Sequence, residues 1–155
     1  MKKLFNAEQN QLDEVLGFID ANLEAAGCPV SAQMSIDVCV EEAFINVASY
    51  AFPDSDGEAS VSVDVLNEAG ASVCVITLED GGVPFNPLAR PDPDTSLQAS
   101  DRGIGGLGIL MVKKMMDDVD YEYSGGMNRL TMKKYFKIIA LSERDGNEKD
   151  VSDRC

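Results

Sequence analysis

The strongest constraint in this chain is a change of hydrophobic period. Leu12, Val15, Leu16, Ile19 and Leu23 recur at the spacing of one helix face. Ile36, Val40, Ala43, Val47 and Ala51 repeat that pattern over a second stretch. From Ser60 the period falls to two. Val61, Val63 and Val65 alternate with Ser60, Ser62 and Asp64, as in a half-buried strand. Two helix stripes followed by strands have to find one face of a sheet to bury against.

Turn residues mark out the elements. Leu4-Phe5 reads as part of a short edge strand, and Asn6 as the opening of the first helix. Gly27, with Pro29 just beyond it, stops that helix. Ser31 is the expected N-cap of the second helix, which runs to about Ala51. After Asn67-Glu68-Ala69-Gly70, residues 73–78 are apolar on both faces, as in a central strand. A long segment over 86–102 holds Pro87, Pro91 and Pro93, and such a loop is usually functional or mobile. A third helix is expected from Ile109 to about Met116. Strands over 119–123 and 129–136 follow, joined by a hairpin at 124–128. The reading is a single α/β domain over 1–140, with a charged tail over 141–155. It is a two-layer sandwich whose mixed, mostly antiparallel sheet carries the helices on one face.

Composition excludes several functions. The chain has 155 residues, with 27 Asp+Glu against 13 Lys+Arg and a net charge of -14. That charge repels a phosphate backbone and an anionic membrane, so neither nucleic acid nor membrane is an expected partner. It is compatible with a basic protein partner. There is no histidine, so no Ser-His-Asp triad, histidine-metal site or phosphohistidine resides on this chain. Cys28, Cys39, Cys74 and Cys155 are not closely paired and read as free thiols of a reducing compartment. The first residues lack a secretory leader's apolar run, and no apolar run approaches the roughly 20 residues of a membrane span. A cytoplasmic protein is expected.

Three constellations could carry chemistry. Glu42 and Asn46 stand at i, i+4 on one face of the second helix, among apolar neighbours. An amide oxygen suits Mg²⁺, and a carboxylate one turn away can take a proton from an attacking hydroxyl. The pair also fits a solvated stripe shared with Glu41 and Ser49. Asp80-Gly81-Gly82 follows the buried strand. There a carboxylate could accept from a base amino group and the glycines could admit a ligand, or the three form a simple turn. Gly103, Gly105, Gly106 and Gly108 run into the third helix, where free backbone N–H groups bind phosphate. This spacing matches G-x-G-x-x-G and so admits a nicotinamide or flavin reading. Residues 98–102 before it are polar and loop-like, whereas a dinucleotide fingerprint follows a strand.

Taken together, these residues resemble the GHKL (Bergerat-fold) ATPases, most closely the anti-sigma-factor serine/threonine kinases among them. Val40-Glu41-Glu42-Ala43-Phe44-Ile45-Asn46 looks like the N box of that family. Glu79-Asp80-Gly81-Gly82-Val83-Pro84-Phe85 looks like its first glycine box, and the run from Gly105 to Val119 like its second. The resemblance implies ATP and Mg²⁺ as cofactors, with Glu42 as general base and Asn46 on the metal. It implies Asp80 on the adenine amino group and Gly82 and Phe85 beside the base. Arg102, Gly103, Gly105, Gly106, Leu107 and Gly108 would lie around the phosphates, with 86–104 as a lid. It implies a homodimer that phosphorylates a small anti-anti-sigma antagonist and holds a sigma factor or similar regulator. Tyr50 stands where many relatives have histidine. Arg102 is the nearest candidate for the arginine that reads the γ-phosphate, and it lies a little early in the chain.

Overall fold

A computed structural model gives the structure over residues 1–68, 70–89 and 106–138. The elements run β1 (Lys2–Asn6), α1 (Leu12–Ala25), α2 (Val30–Tyr50), β2 (Glu58–Glu68) and β3 (Ala71–Asp80). They continue with α3 (Gly106–Met115), β4 (Asp118–Ser124) and β5 (Met127–Phe136). Short 3-10 turns stand at Gln9–Gln11 and Pro87–Ala89.

The five strands form one sheet in the order β1-β2-β3-β5-β4. Every pairing in it is antiparallel, so the sheet is not mixed as expected. The reason is where β5 goes. The chain leaves β3, passes through α3 and returns as β4 in the direction of β3. Side by side those two would pair parallel, but β5 lies between them and runs opposite to both.

The helices bury their stripes on one face of this sheet. Val15, Ile19 and Leu23 of α1 and Ile36, Cys39, Val40, Ala43 and Phe44 of α2 join Val61, Cys74, Ile76, Leu78 and Met132 in one core. Each large side chain buried there contributes about 1.5–3 kcal/mol relative to exposure. On the sheet's other face Glu79 takes Lys2 and Arg129, each at 3.0 Å, and Arg129 also reaches Glu122 at 3.7 Å. Cys28, Cys39 and Cys74 are free and buried. Burial pushes their thiols up, to about 11 for Cys28 and Cys39 and about 12 for Cys74. Cys155 and the tail lie outside the described residues.

Several boundaries move. Asn6 does not open a helix. It closes β1, opposite Glu58, because the ladder to β2 claims its backbone, and α1 starts only at Leu12. Ser31 is not the N-cap of α2. Pro29 holds that place at φ -65°, ψ 147°, and its ring fixes the entry so that Ser31 is already helical. Helix α3 begins at Gly106 rather than Ile109, so the last glycines form its first turn. Asp80 belongs to β3 as its final residue. The hairpin narrows to Gly125 and Gly126, whose φ of 61° and 79° suit a two-residue primed turn. Among the described residues no helix is long and apolar enough to cross a membrane.

Candidate functional site

Helix α2 turns one face to the core and the adjoining face toward the ends of β3 and β5. Glu42, Asn46 and Tyr50 follow one another at i, i+4 and i+8 on that second face. Beside it lies a cavity that opens to solvent. Its walls are mostly apolar, with Ala43 and Val47 from α2, Leu78 from β3, Ile109 from α3 and Leu130 from β5. The polar groups reaching it are few, chiefly Asn46, Asp80 and Asn128.

Asp80 forms the polar floor. It ends the central strand β3 and is only 4% exposed. Its Oδ1 accepts from the Gly82 N–H at 2.9 Å and from Asn128 Nδ2 at 2.9 Å. Its Oδ2 accepts no hydrogen bond among the described residues. A carboxylate oxygen left open at the wall of an apolar cavity in this way can accept from a ligand's donor.

The rings of Tyr50 and Phe85 stand together at the cavity. Tyr50 and Phe85 lie 6.4 Å apart between ring centroids, tilted by 36°. Tyr50 is 49% exposed, so its ring lies partly in solvent.

The glycines have separate causes. A Cβ on Gly82 would overlap the carbonyl of Ala51 at the end of α2, and that carbonyl also accepts from the Val83 N–H at 2.9 Å. Gly82 therefore lets the loop close onto the helix end, and it does not itself line the cavity. A Cβ on Gly108 would overlap the Glu42 carboxylate. Glu42 thus lies against the first turn of α3, where backbone N–H groups are free to meet an anion. Lys113 and Lys114 in the last turn of α3 complement the opposite end of its dipole.

The structure therefore gathers Asn46, Asp80 and Phe85 at one cavity and brings Glu42 to Gly108. Of Gly106 and Leu107 only the backbone, as the first turn of α3, is described. Arg102, Gly103, Gly105 and most of the expected lid lie outside the described residues. Among those described, no three acidic or cysteine side chains cluster to hold a metal. A metal here would rest on the Asn46 amide oxygen together with ligand oxygens and water, a set that suits Mg²⁺.

The sequence marked Asn128 only as part of the closing hairpin, without a role at the site, and did not single out Tyr121. Asn128 is 6% exposed and donates from Nδ2 to Asp80 and to the Val83 carbonyl at 3.0 Å. Its Oδ1 accepts from the Phe85 N–H at 3.1 Å and from the Tyr121 hydroxyl. Asp80 is 48 residues away in sequence, so no local pattern announces the pair.

A family model described as a histidine kinase-like ATPase domain matches residues 5–134. The serine-protein kinase RsbW of Listeria monocytogenes is 28% identical over 132 residues, covering 82% of this chain and 79% of the relative. RsbW of Listeria innocua is 27% identical over the same shares. The serine/threonine-protein kinase BtrW of Bordetella bronchiseptica is 24% identical over 100 residues, 64% of this chain and 68% of its own.

Proposed function

The chain belongs to the histidine kinase-like ATPase family, and from that premise we propose that it is a serine/threonine protein kinase of the anti-sigma type. It binds ATP with Mg²⁺ in the cavity beside α2 and transfers the γ-phosphate to a serine hydroxyl of a small antagonist protein. In its other state it holds a sigma factor or similar regulator, as a cytoplasmic homodimer. The observation that carries this reading is the open Oδ2 of Asp80 on the floor of an apolar cavity. The printed names of the relatives, serine and serine/threonine kinases, agree with it.

Each residue then has a task. Asp80 Oδ2 accepts from the exocyclic amino group of adenine, while Tyr50 and Phe85 flank the base. Asn46 and the first turn of α3, with Gly106, Leu107 and Gly108, face the phosphates, and Arg102, Gly103 and Gly105 precede them in the chain. Backbone N–H groups bind anions without adding a cation, which suits a chain of net charge -14. Bound at Asn46, Mg²⁺ would neutralise charge on the phosphate oxygens. Glu42 takes the proton of the attacking serine as its oxygen bonds to the γ-phosphorus. The bond from that phosphorus to the β,γ-bridging oxygen breaks, and ADP leaves.

The test is calorimetry with ATP and Mg²⁺ on the wild type and Asn46→Ala, followed by phosphotransfer with Glu42→Ala. Micromolar binding that weakens at least tenfold in Asn46→Ala is expected, about 1.4 kcal/mol or more. Glu42→Ala should keep its ATP affinity and lose transfer. Full transfer by Glu42→Ala removes the general-base role. Tight ATP binding by the wild type without transfer to any antagonist would assign an ATP-gated binding module instead.

A further inference from the structure

We infer that Asn128 is a positioning residue that turns one oxygen of Asp80 into the cavity and so makes the site select adenine, whose amino group meets that oxygen, over a base that presents a carbonyl at the same position. The inference rests on the nucleotide reading above and concerns how that site discriminates.

The argument is a count of hydrogen-bonding capacity. A primary amide has two N–H donors and two acceptor lone pairs. Both donors of Asn128 are directed, one to Asp80 Oδ1 at 2.9 Å and one to the Val83 carbonyl at 3.0 Å. Both lone pairs are taken, by the Phe85 N–H at 3.1 Å and the Tyr121 hydroxyl. Turning the amide over would set its oxygen against the Asp80 carboxylate and the Val83 carbonyl, four lone pairs with no proton between them. The amide is therefore locked, and nothing of it remains to touch a ligand. Its influence passes through Asp80. With Oδ1 held by Asn128 and by the Gly82 N–H, Oδ2 is left as the polar group on the floor able only to accept. An amino group satisfies it. A base with a carbonyl at that position meets it with a second acceptor and leaves both unpaired in an apolar cavity, which costs more than a weak contact would.

The same lock ties three elements together. Asp80 ends β3, Asn128 lies in β5, and Tyr121 belongs to the edge strand β4. Through the Val83 carbonyl and the Phe85 N–H, Asn128 also fixes the loop that carries the aromatic ring beside the cavity.

The deciding variant is Asn128→Asp, which keeps the shape and deletes both donors. Its new carboxyl would face Asp80 from β3, Tyr121 from β4 and, across the cavity, Tyr50 from α2. Among the described residues no cation lines the cavity. At about pH 8 two carboxylates then repel, and at about pH 5.5 a proton taken up between them restores a donor toward Asp80. ATP affinity by calorimetry should therefore fall about tenfold or more at the higher pH and recover on acidification, while the wild type shows no such recovery. A purely structural role would lower the melting temperature without that pH-dependent rescue. Should Asn128→Asp not melt cooperatively, Asn128→Ser decides, with the ATP-to-GTP affinity ratio expected to fall by about tenfold. Unchanged affinity and no rescue in a folded Asn128→Asp, or an unchanged ratio in Asn128→Ser, overturns the inference and leaves the kinase reading standing. A wild type that binds no ATP overturns both.

Discussion

At the scale of single residues, two glycines near the site should respond differently to the same added methyl group. Gly108→Ala would drive a Cβ into the Glu42 carboxylate, the free end of a flexible side chain. Glycine to alanine in a helix ordinarily adds up to about 1 kcal/mol. The melting temperature should therefore hold or rise while Glu42 is pushed aside, and phosphotransfer should fall toward that of Glu42→Ala. Gly82→Ala instead meets the Ala51 carbonyl, which cannot move without the end of α2. That substitution should cost about 1–3 kcal/mol, read by thermal unfolding. Glu42, Asn46 and Asp80 could be picked out from the sequence because polar groups set among apolar neighbours need a reason. Asn128 could not. It sits among hairpin residues, and its meaning comes from a partner that only the sheet brings near. The cause of Gly82 was hidden for the same reason, since it lies in the end of another element.

At the scale of elements, the packing of α1 on α2 contains a titrating carboxyl, Asp37. Burial first, then a hydrogen bond and the charge of Asp20, raises the Asp37 carboxyl from its ordinary 3.8 to about 7. Among the described residues Asp37 Oδ1 is buried without a hydrogen-bond partner, while Gln33 Nε2 already donates to Asp20 Oδ1 at 2.9 Å. Between those two values the folded chain keeps a proton that the unfolded chain has lost. Stability from this group is therefore fully present below about pH 4 and is lost as pH rises toward about 7. Asp37→Asn supplies a permanent donor toward Asp20. It should melt higher than the wild type at about pH 8, with the gap closing on acidification. Asp37 is only half-buried, so solvent screening keeps the effect to a few degrees. The helices themselves were readable because 3.6-residue periodicity is a local property of long stretches. Their starts were less so: Asn6 looked like a helix opener until β2 claimed its backbone, and Pro29 outranked Ser31 through its fixed φ.

At the scale of the whole molecule, periodicity predicted two layers but not the sheet order, because strand order depends on which edge a returning strand finds. Strand β5, the last of the described strands, lies between β3 and β4 and brings Leu130, Met132 and Phe136 to the core. A chain ending at Gly126 should show neither a cooperative melt by circular dichroism nor ATP binding by calorimetry. A cooperative melt would show that the helices and β1 to β3 stand alone. The position of β5 also bears on how the protein is made. On a ribosome, which delivers the chain from its N-terminus, β3 emerges with one edge bare and stays so for some fifty residues. The polar floor of the cavity is completed only when Asn128 arrives. On the proposed reading, a partly synthesised chain thus has no pocket with which to capture nucleotide until the domain is nearly finished.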